Sequence, residues 1–121
     1  MKGYEIIYIL DPNTGEEART QMLERVKSIV STHGGQVLHD TSWGRRKLAY
    51  RMKKRDYGVY QVLYTDHAPA AVKEVETQFR FAESIIKWQS VAVVDVEQEF
   101  TAFEKLRSEG SLAKQIGDRG R

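Results

Sequence analysis

Apolar residues in this chain recur at two spacings that take turns along its length, and the order of those turns leaves few folds open. Tyr4 to Leu10 alternates as a strand does, with Ile6, Tyr8 and Leu10 on one face and Glu5, Ile7 and Ile9 on the other. Asp11-Pro12-Asn13-Thr14-Gly15 is a turn, and Asn13 or Thr14 can begin a helix cap. From Glu16 to His33 the residues Ala18, Met22, Val26, Ile29 and Val30 fall at helical spacing, and Gly34-Gly35 ends the run. A second strand is expected from Gln36 to Met52, with Gly44 marking a bulge or bend. Lys53 to Tyr57 reads as a turn and Gly58 to Thr65 as the third strand. Pro69 opens a second helix that carries Val72, Val75 and Phe79 on one side and ends near Phe81. Valine-rich Trp88 to Val96 is the last strand.

The order βαββαβ with right-handed crossovers predicts an α+β, ferredoxin-like fold. Four antiparallel strands form the sheet, both helices cover one face, and the other face is left open to ligands. Residues 1–96 make this domain. Residues 97–121 are read as a variable tail, partly helical or disordered, in which Phe100, Phe103 and Leu106 line one side of a short helix.

Several function classes are set aside on composition. At 121 residues the chain holds one domain, and it has no run of eighteen apolar residues to span a membrane. The first residues, KGYEIIYIL, lack a signal-peptide cleavage site. The absence of cysteine excludes disulfides, thiolate metal sites and a thiol nucleophile, and fits a soluble cytoplasmic protein. His33, His39 and His67 show no metal-ligand spacing, and Gly34-Gly35 follows a helix where a phosphate cradle would precede one. No catalysis, cofactor, metal or small-molecule substrate is expected.

Charge is distributed far less evenly than a formal net charge of +2 suggests. Trp43 to Arg55, WGRRKLAYRMKKR, holds seven cations and no carboxylate, while the rest of the chain is net acidic. Taking Leu48, Tyr50 and Met52 as the core-facing set, alternation puts Arg45, Lys47, Arg51 and Lys53 on the open side, with Arg46 and Lys54 overhanging the helices. Trp43 joins the open side as a flat surface for stacking unless a bulge at Gly44 switches it. A polyanion is the expected partner. Both helices carry glutamates where a major-groove reader needs cations, so the partner is folded RNA rather than duplex DNA.

The segment Trp43-Gly44-Arg45-Arg46-Lys47-Leu48-Ala49-Tyr50 closely resembles the central motif of bacterial small-subunit ribosomal protein six. Tyr4-Glu5-Ile6, Glu74 to Phe81 and Ile85-Ile86-Lys87 match the same family in register, so the similarity spans about residues 1–95. It departs from the family at Arg51, where proline is usual, and at Ala82-Glu83, which replaces an Asn-Asp-like turn. The resemblance implies a structural constituent of the small ribosomal subunit that supports assembly and translation. It implies binding to small-subunit (16S) ribosomal RNA together with small-subunit ribosomal protein eighteen. Arg45 and Arg46 are its first RNA-contact candidates, followed by Lys2, Lys53, Lys54, Arg80 and Lys87, with Trp43 and Lys47 added from the basic segment.

An RNA recognition motif is the alternative, because it shares the element order. Ile7-Tyr8-Ile9-Leu10 and Arg55 to Val62 imitate its two signatures, although Asp56 stands where glycine is needed and Val59 and Val62 where aromatics are. That reading requires Tyr8 to stack on a base.

Overall fold

The computed structural model describes residues 2–108, arranged as β1 (Lys2–Leu10), α1 (Glu16–Thr32), β2 (Gln36–Met52), β3 (Arg55–His67), α2 (Ala70–Phe81), β4 (Ile85–Val93) and α3 (Val96–Ser108). The strands form one antiparallel sheet in the order β2-β3-β1-β4. This is the ferredoxin-like arrangement that the element order predicts. The remainder of the expected tail, residues 109–121, lies outside the described residues.

Two apolar layers sandwich the sheet. On one side Tyr4, Ile6, Tyr8 and Leu10 of β1 and Leu63 of β3 meet Met22, Val26, Ile29 and Val30 of α1 and Ala71, Val75 and Phe79 of α2. The spacing of those helical residues is the amphipathic stripe visible in the sequence. On the other side Ile7, Ile9, Tyr60, Val62 and Tyr64 gather with Trp43, Leu48 and Ile86 around Phe103 of α3.

The second layer corrects the expectation of an open face. α3 lies over it, with Phe103 fully buried and Val96 and Phe100 packed alongside. Asp95 caps the helix by accepting a bond from the Gln98 N–H at 3.1 Å. His39 stacks on Phe100 with ring centroids 3.7 Å apart and bonds Glu97 through Nε2 at 2.8 Å. Arg107 donates to the Ser42 carbonyl at 3.3 Å. The segment expected as a tail is instead a cover, because Phe100 meets His39 and Tyr64 and Phe103 meets Trp43 and Tyr64 on the sheet beneath.

Two boundaries also shift. The hairpin closes on Lys53 and Lys54 alone, both left-handed at φ 45° and 63°, so β3 begins at Arg55 and the residues to Tyr57 are strand rather than turn. β4 begins at Ile85, opposite Leu10, instead of at Trp88, and Val96 starts α3 rather than ending the strand.

Past Leu10, which pairs with Val59, β2 and β3 continue without β1 beside them. This free arm, residues 46–58, curls back over the end of the sheet. Arg55 Nε donates to Asp11 Oδ2 at 2.8 Å, and Lys53 Nζ donates to the Ile85 carbonyl at 3.1 Å. At Gly58 the packing leaves no room for a side chain: a Cβ there would collide with Ile9 Cγ2 and press on Leu48.

Two outcomes follow from this architecture. Burying Phe103 is worth roughly 2–3 kcal/mol, and α3 has no other fully buried side chain. Phe103→Ala is therefore expected to release α3 rather than to unfold the sheet. Tryptophan emission should shift to the red as Trp43 becomes wet, while the unfolding free energy of the sheet, read from a denaturant titration, falls by at most about 2–3 kcal/mol. The second concerns the arm's anchor. A bond from the Asn13 backbone N–H, aided by Arg55, holds the Asp11 carboxyl below its ordinary value. A depressed folded-state pKa contributes stability above the unfolded value, near 4, and that stability is lost as pH falls through the folded value. Acid titration of stability should therefore fall less steeply below about pH 4 in Asp11→Asn than in the parent chain.

Candidate nucleic-acid interface

The direction of each cation on β2 is set by one extra residue. Ser42 pairs with Gln61 and Gly44 with Tyr60, which leaves Trp43 bulged between them. Gly44 takes φ 77°, where a side chain would be strained. The Ser42 hydroxyl spans the irregularity, donating to the Tyr60 carbonyl at 3.3 Å and accepting from the Gly44 N–H at 3.1 Å. Beyond the bulge the alternation is inverted. Arg45 pairs with Val59, which belongs to the helix-side core, and Arg46 pairs with Gly58 and turns back to Trp43 on the α3 side.

This inversion reverses the faces expected from the sequence. Leu48 packs in the α3-side layer, so Arg45 and Lys47 stand on the helix side of the sheet and Arg46 on the other. Trp43 itself is 4% exposed, edge-on to Tyr60 and Phe103 at 5.6 Å from each, and offers no ring face to a ligand. Tyr50, taken as packing because it shares parity with Leu48, is 49% exposed.

The cations divide by what they already hold. Arg46 donates through Nε to the Trp43 carbonyl at 3.1 Å and lies 5.1 Å from the Trp43 ring centroid, half-buried. Lys53 and Arg55 tie the arm to β4 and to the turn after β1. Arg51 bonds the Lys54 carbonyl at 3.4 Å and sits 3.9 Å from Asp56. Arg45 is exposed and rests on the Tyr57 ring, 4.6 Å from its centroid. Lys47 and Lys54 are exposed with no partner among the described residues. The first group shapes the arm, and the second presents charge outward.

Two further candidates from other elements join the arm. Lys87 on β4, opposite Ile9, donates to the Tyr50 hydroxyl at 2.7 Å. Arg80 is exposed in the last turn of α2, which leads into β4 at the arm's end of the sheet. Lys2 does not join them: it pairs with His67 at the opposite end of β1, roughly 27 Å from Leu10. Arg45, Arg46, Lys47, Lys53, Lys54, Arg80 and Lys87 thus share one end of the molecule.

The surface this creates is a charged, aromatic projection rather than a cleft. No group of three or more metal-type ligands occurs among the described residues. The stacking platform of an RNA recognition motif is missing as well. Tyr8 is 1% exposed, packed against Phe79 under α2, and burial pushes its phenol well above the ordinary value. The opposite face, where such a motif would display its aromatics, lies under α3. What the sequence missed is Tyr50 and Tyr57, both on the arm and both exposed. For Tyr50 the signal was an aromatic within the cationic run, which parity argued away, and Tyr57 fell in the segment expected to be the turn.

Comparison with known proteins agrees with this geometry. The family model for Ribosomal protein S6 matches residues 3–92. A small ribosomal subunit protein bS6 from Caldanaerobacter subterraneus subsp. tengcongensis is 30% identical over 95 residues, covering 78% of this chain and all of that protein. The corresponding protein of Streptomyces griseus subsp. griseus is 39% identical over 87 residues, covering 72% of this chain and 91% of that one. The crystal structure of 30S ribosomal protein S6 from Thermotoga maritima superposes with a TM-score of 0.72 at 33% identity, covering 85% of this chain and 97% of that one. With the family model spanning residues 3–92 and these relatives matched over nearly their whole length, the chain belongs to the ribosomal protein S6 family, non-enzymatic proteins of the small ribosomal subunit.

Proposed function

We propose that this chain binds small-subunit ribosomal RNA through the arm and the cations gathered at its base, as a structural component of the particle. The observation that carries the reading is the outward group: Arg45, Lys47 and Lys54 are exposed, and none is ion-paired to a carboxylate. Cations kept for internal structure acquire partners, as Arg55 does with Asp11. Those left free at one end of an otherwise acidic body provide counter-charge for phosphates. Arg80 and Lys87 extend the surface, and Arg46 and Lys53 hold its shape.

Small-subunit ribosomal protein eighteen is the proposed protein neighbour, on the strength of the family resemblance. Two features of this chain suit a protein contact at the same end. β4 is an edge strand with β1 as its one strand neighbour in the sheet. Phe81, 80% exposed, stands just ahead of it. An apolar ring and an unpaired strand edge are what a partner chain can cover.

Phosphate contacts give a steep salt dependence. About five of them correspond to a slope of roughly −4 in log K against log salt, or about a hundredfold loss or more between 50 and 200 mM. Filter binding of the full chain to a central-domain ribosomal RNA transcript should show that slope. Arg45→Glu with Arg46→Glu should weaken binding by about tenfold or more and flatten the slope. A salt-independent response in the parent chain would remove the proposal.

A further inference from the structure

We propose that the arm carries two base-stacking sites, the Tyr57 ring with Arg45 and the Tyr50 ring with Lys87, which take unpaired nucleobases of a folded RNA. The inference rests on the ribosomal RNA reading and adds to it a class of contact that phosphate binding alone does not supply.

Exposure is the first argument. Tyr50 and Tyr57 are 49% and 41% exposed, and they are two of the four large apolar side chains left open among the described residues. Leu48 and Met52 flank Tyr50 at the same parity and turn into the α3-side layer, whereas Tyr50 is held outward. Apolar ring surface left wet on a free arm is a cost that a stacked base would relieve.

Each ring also has its own cation. The Arg45 guanidinium carbon lies 4.6 Å from the Tyr57 centroid. Lys87 Nζ lies 5.4 Å from the Tyr50 centroid and holds its hydroxyl at 2.7 Å. These contacts fix the orientation of the rings before any ligand arrives, which lowers the entropy lost on binding. They also place a positive charge where the phosphate of a stacked nucleotide would run. An arginine plane adds a second stacking surface of its own.

Placement is the third argument. Tyr57 pairs with Lys47 and shares the helix-side face with Arg45. Tyr50 is met by Lys87, whose strand partner Ile9 faces α3. The two stations therefore lie on opposite faces of the arm, with Lys47 beside Tyr57 and Lys54 in the closing turn. An A-form duplex hides its base faces, so this pattern fits bases turned out of loops or bulges on either side of an inserted arm.

The test uses the full chain, the central-domain transcript and a salt series. Tyr57→Leu and Tyr50→Leu keep the apolar bulk and remove the aromatic face. Each is expected to weaken binding about fivefold to a hundredfold at every salt concentration, with the slope unchanged, and Tyr57→Phe should restore it. Ultraviolet crosslinking of the parent complex should yield base adducts on the peptides holding Tyr50 and Tyr57, a readout that needs no variant to fold. Leucine variants that bind as tightly as the parent, while Arg45→Glu with Arg46→Glu does not, would overturn the stacking sites and leave the phosphate-binding reading standing. Adducts elsewhere on the arm but on neither tyrosine peptide would do the same. A parent chain that fails to bind the transcript overturns both.

Discussion

A single bulged residue governs the basic end of this molecule. Trp43 is inserted in β2 without a partner of its own across the ladder, and its indole is driven under α3 against Tyr60 and Phe103. Because side chains alternate along a strand, one extra residue exchanges the faces of everything that follows. Arg46 is turned inward and becomes a brace on the Trp43 carbonyl. Arg45 and Lys47 are turned to the other side, toward solvent. Three adjacent cations that look equivalent in the sequence acquire two different jobs from that step.

The bulge depends in turn on the cover provided by α3. Trp43 is tolerable at that position because Phe103 and Tyr60 enclose it, and Phe103 is available because the helix is capped by Asp95 and held by His39 and Arg107. The family match ends at residue 92, so this helix lies beyond the span shared with the S6 model. Its polar contacts lie at the surface and are individually weak, which leaves apolar contact as the main source of its hold. With that sheet face occupied from within the same chain, the exposed rings and cations of the basic segment are left on the arm.

Rigidity and reach are balanced in the arm itself. A hairpin that leaves its sheet is marginal alone. This one is tied down at Asp11, at the Ile85 carbonyl and through Lys87, and Gly58, having no side chain, leaves room for Ile9 and Leu48 beside it. Two consecutive lysines in the left-handed region close it, a conformation usually given to Asn-Gly. The lysine side chains differ in use: Lys53 is spent on the anchor, and Lys54 projects.

Much of the fold was legible from hydrophobic period alone, since β1, α1 and α2 each carry an unbroken pattern and a clear stop. The concentration of charge between Trp43 and Arg55 was equally legible, because composition does not depend on folding. The facing of those charges was not, because it hangs on whether Gly44 makes a bulge, and a glycine in a strand permits one without requiring it. Nor was the burial of Trp43 or the exposure of Tyr50. Burial is a property of what packs on top, and here that is a helix from the far end of the chain whose few apolar residues do not announce a docking site. Local pattern determined the elements and the concentration of positive charge on one segment. Long-range packing decided which side chains remain free to act.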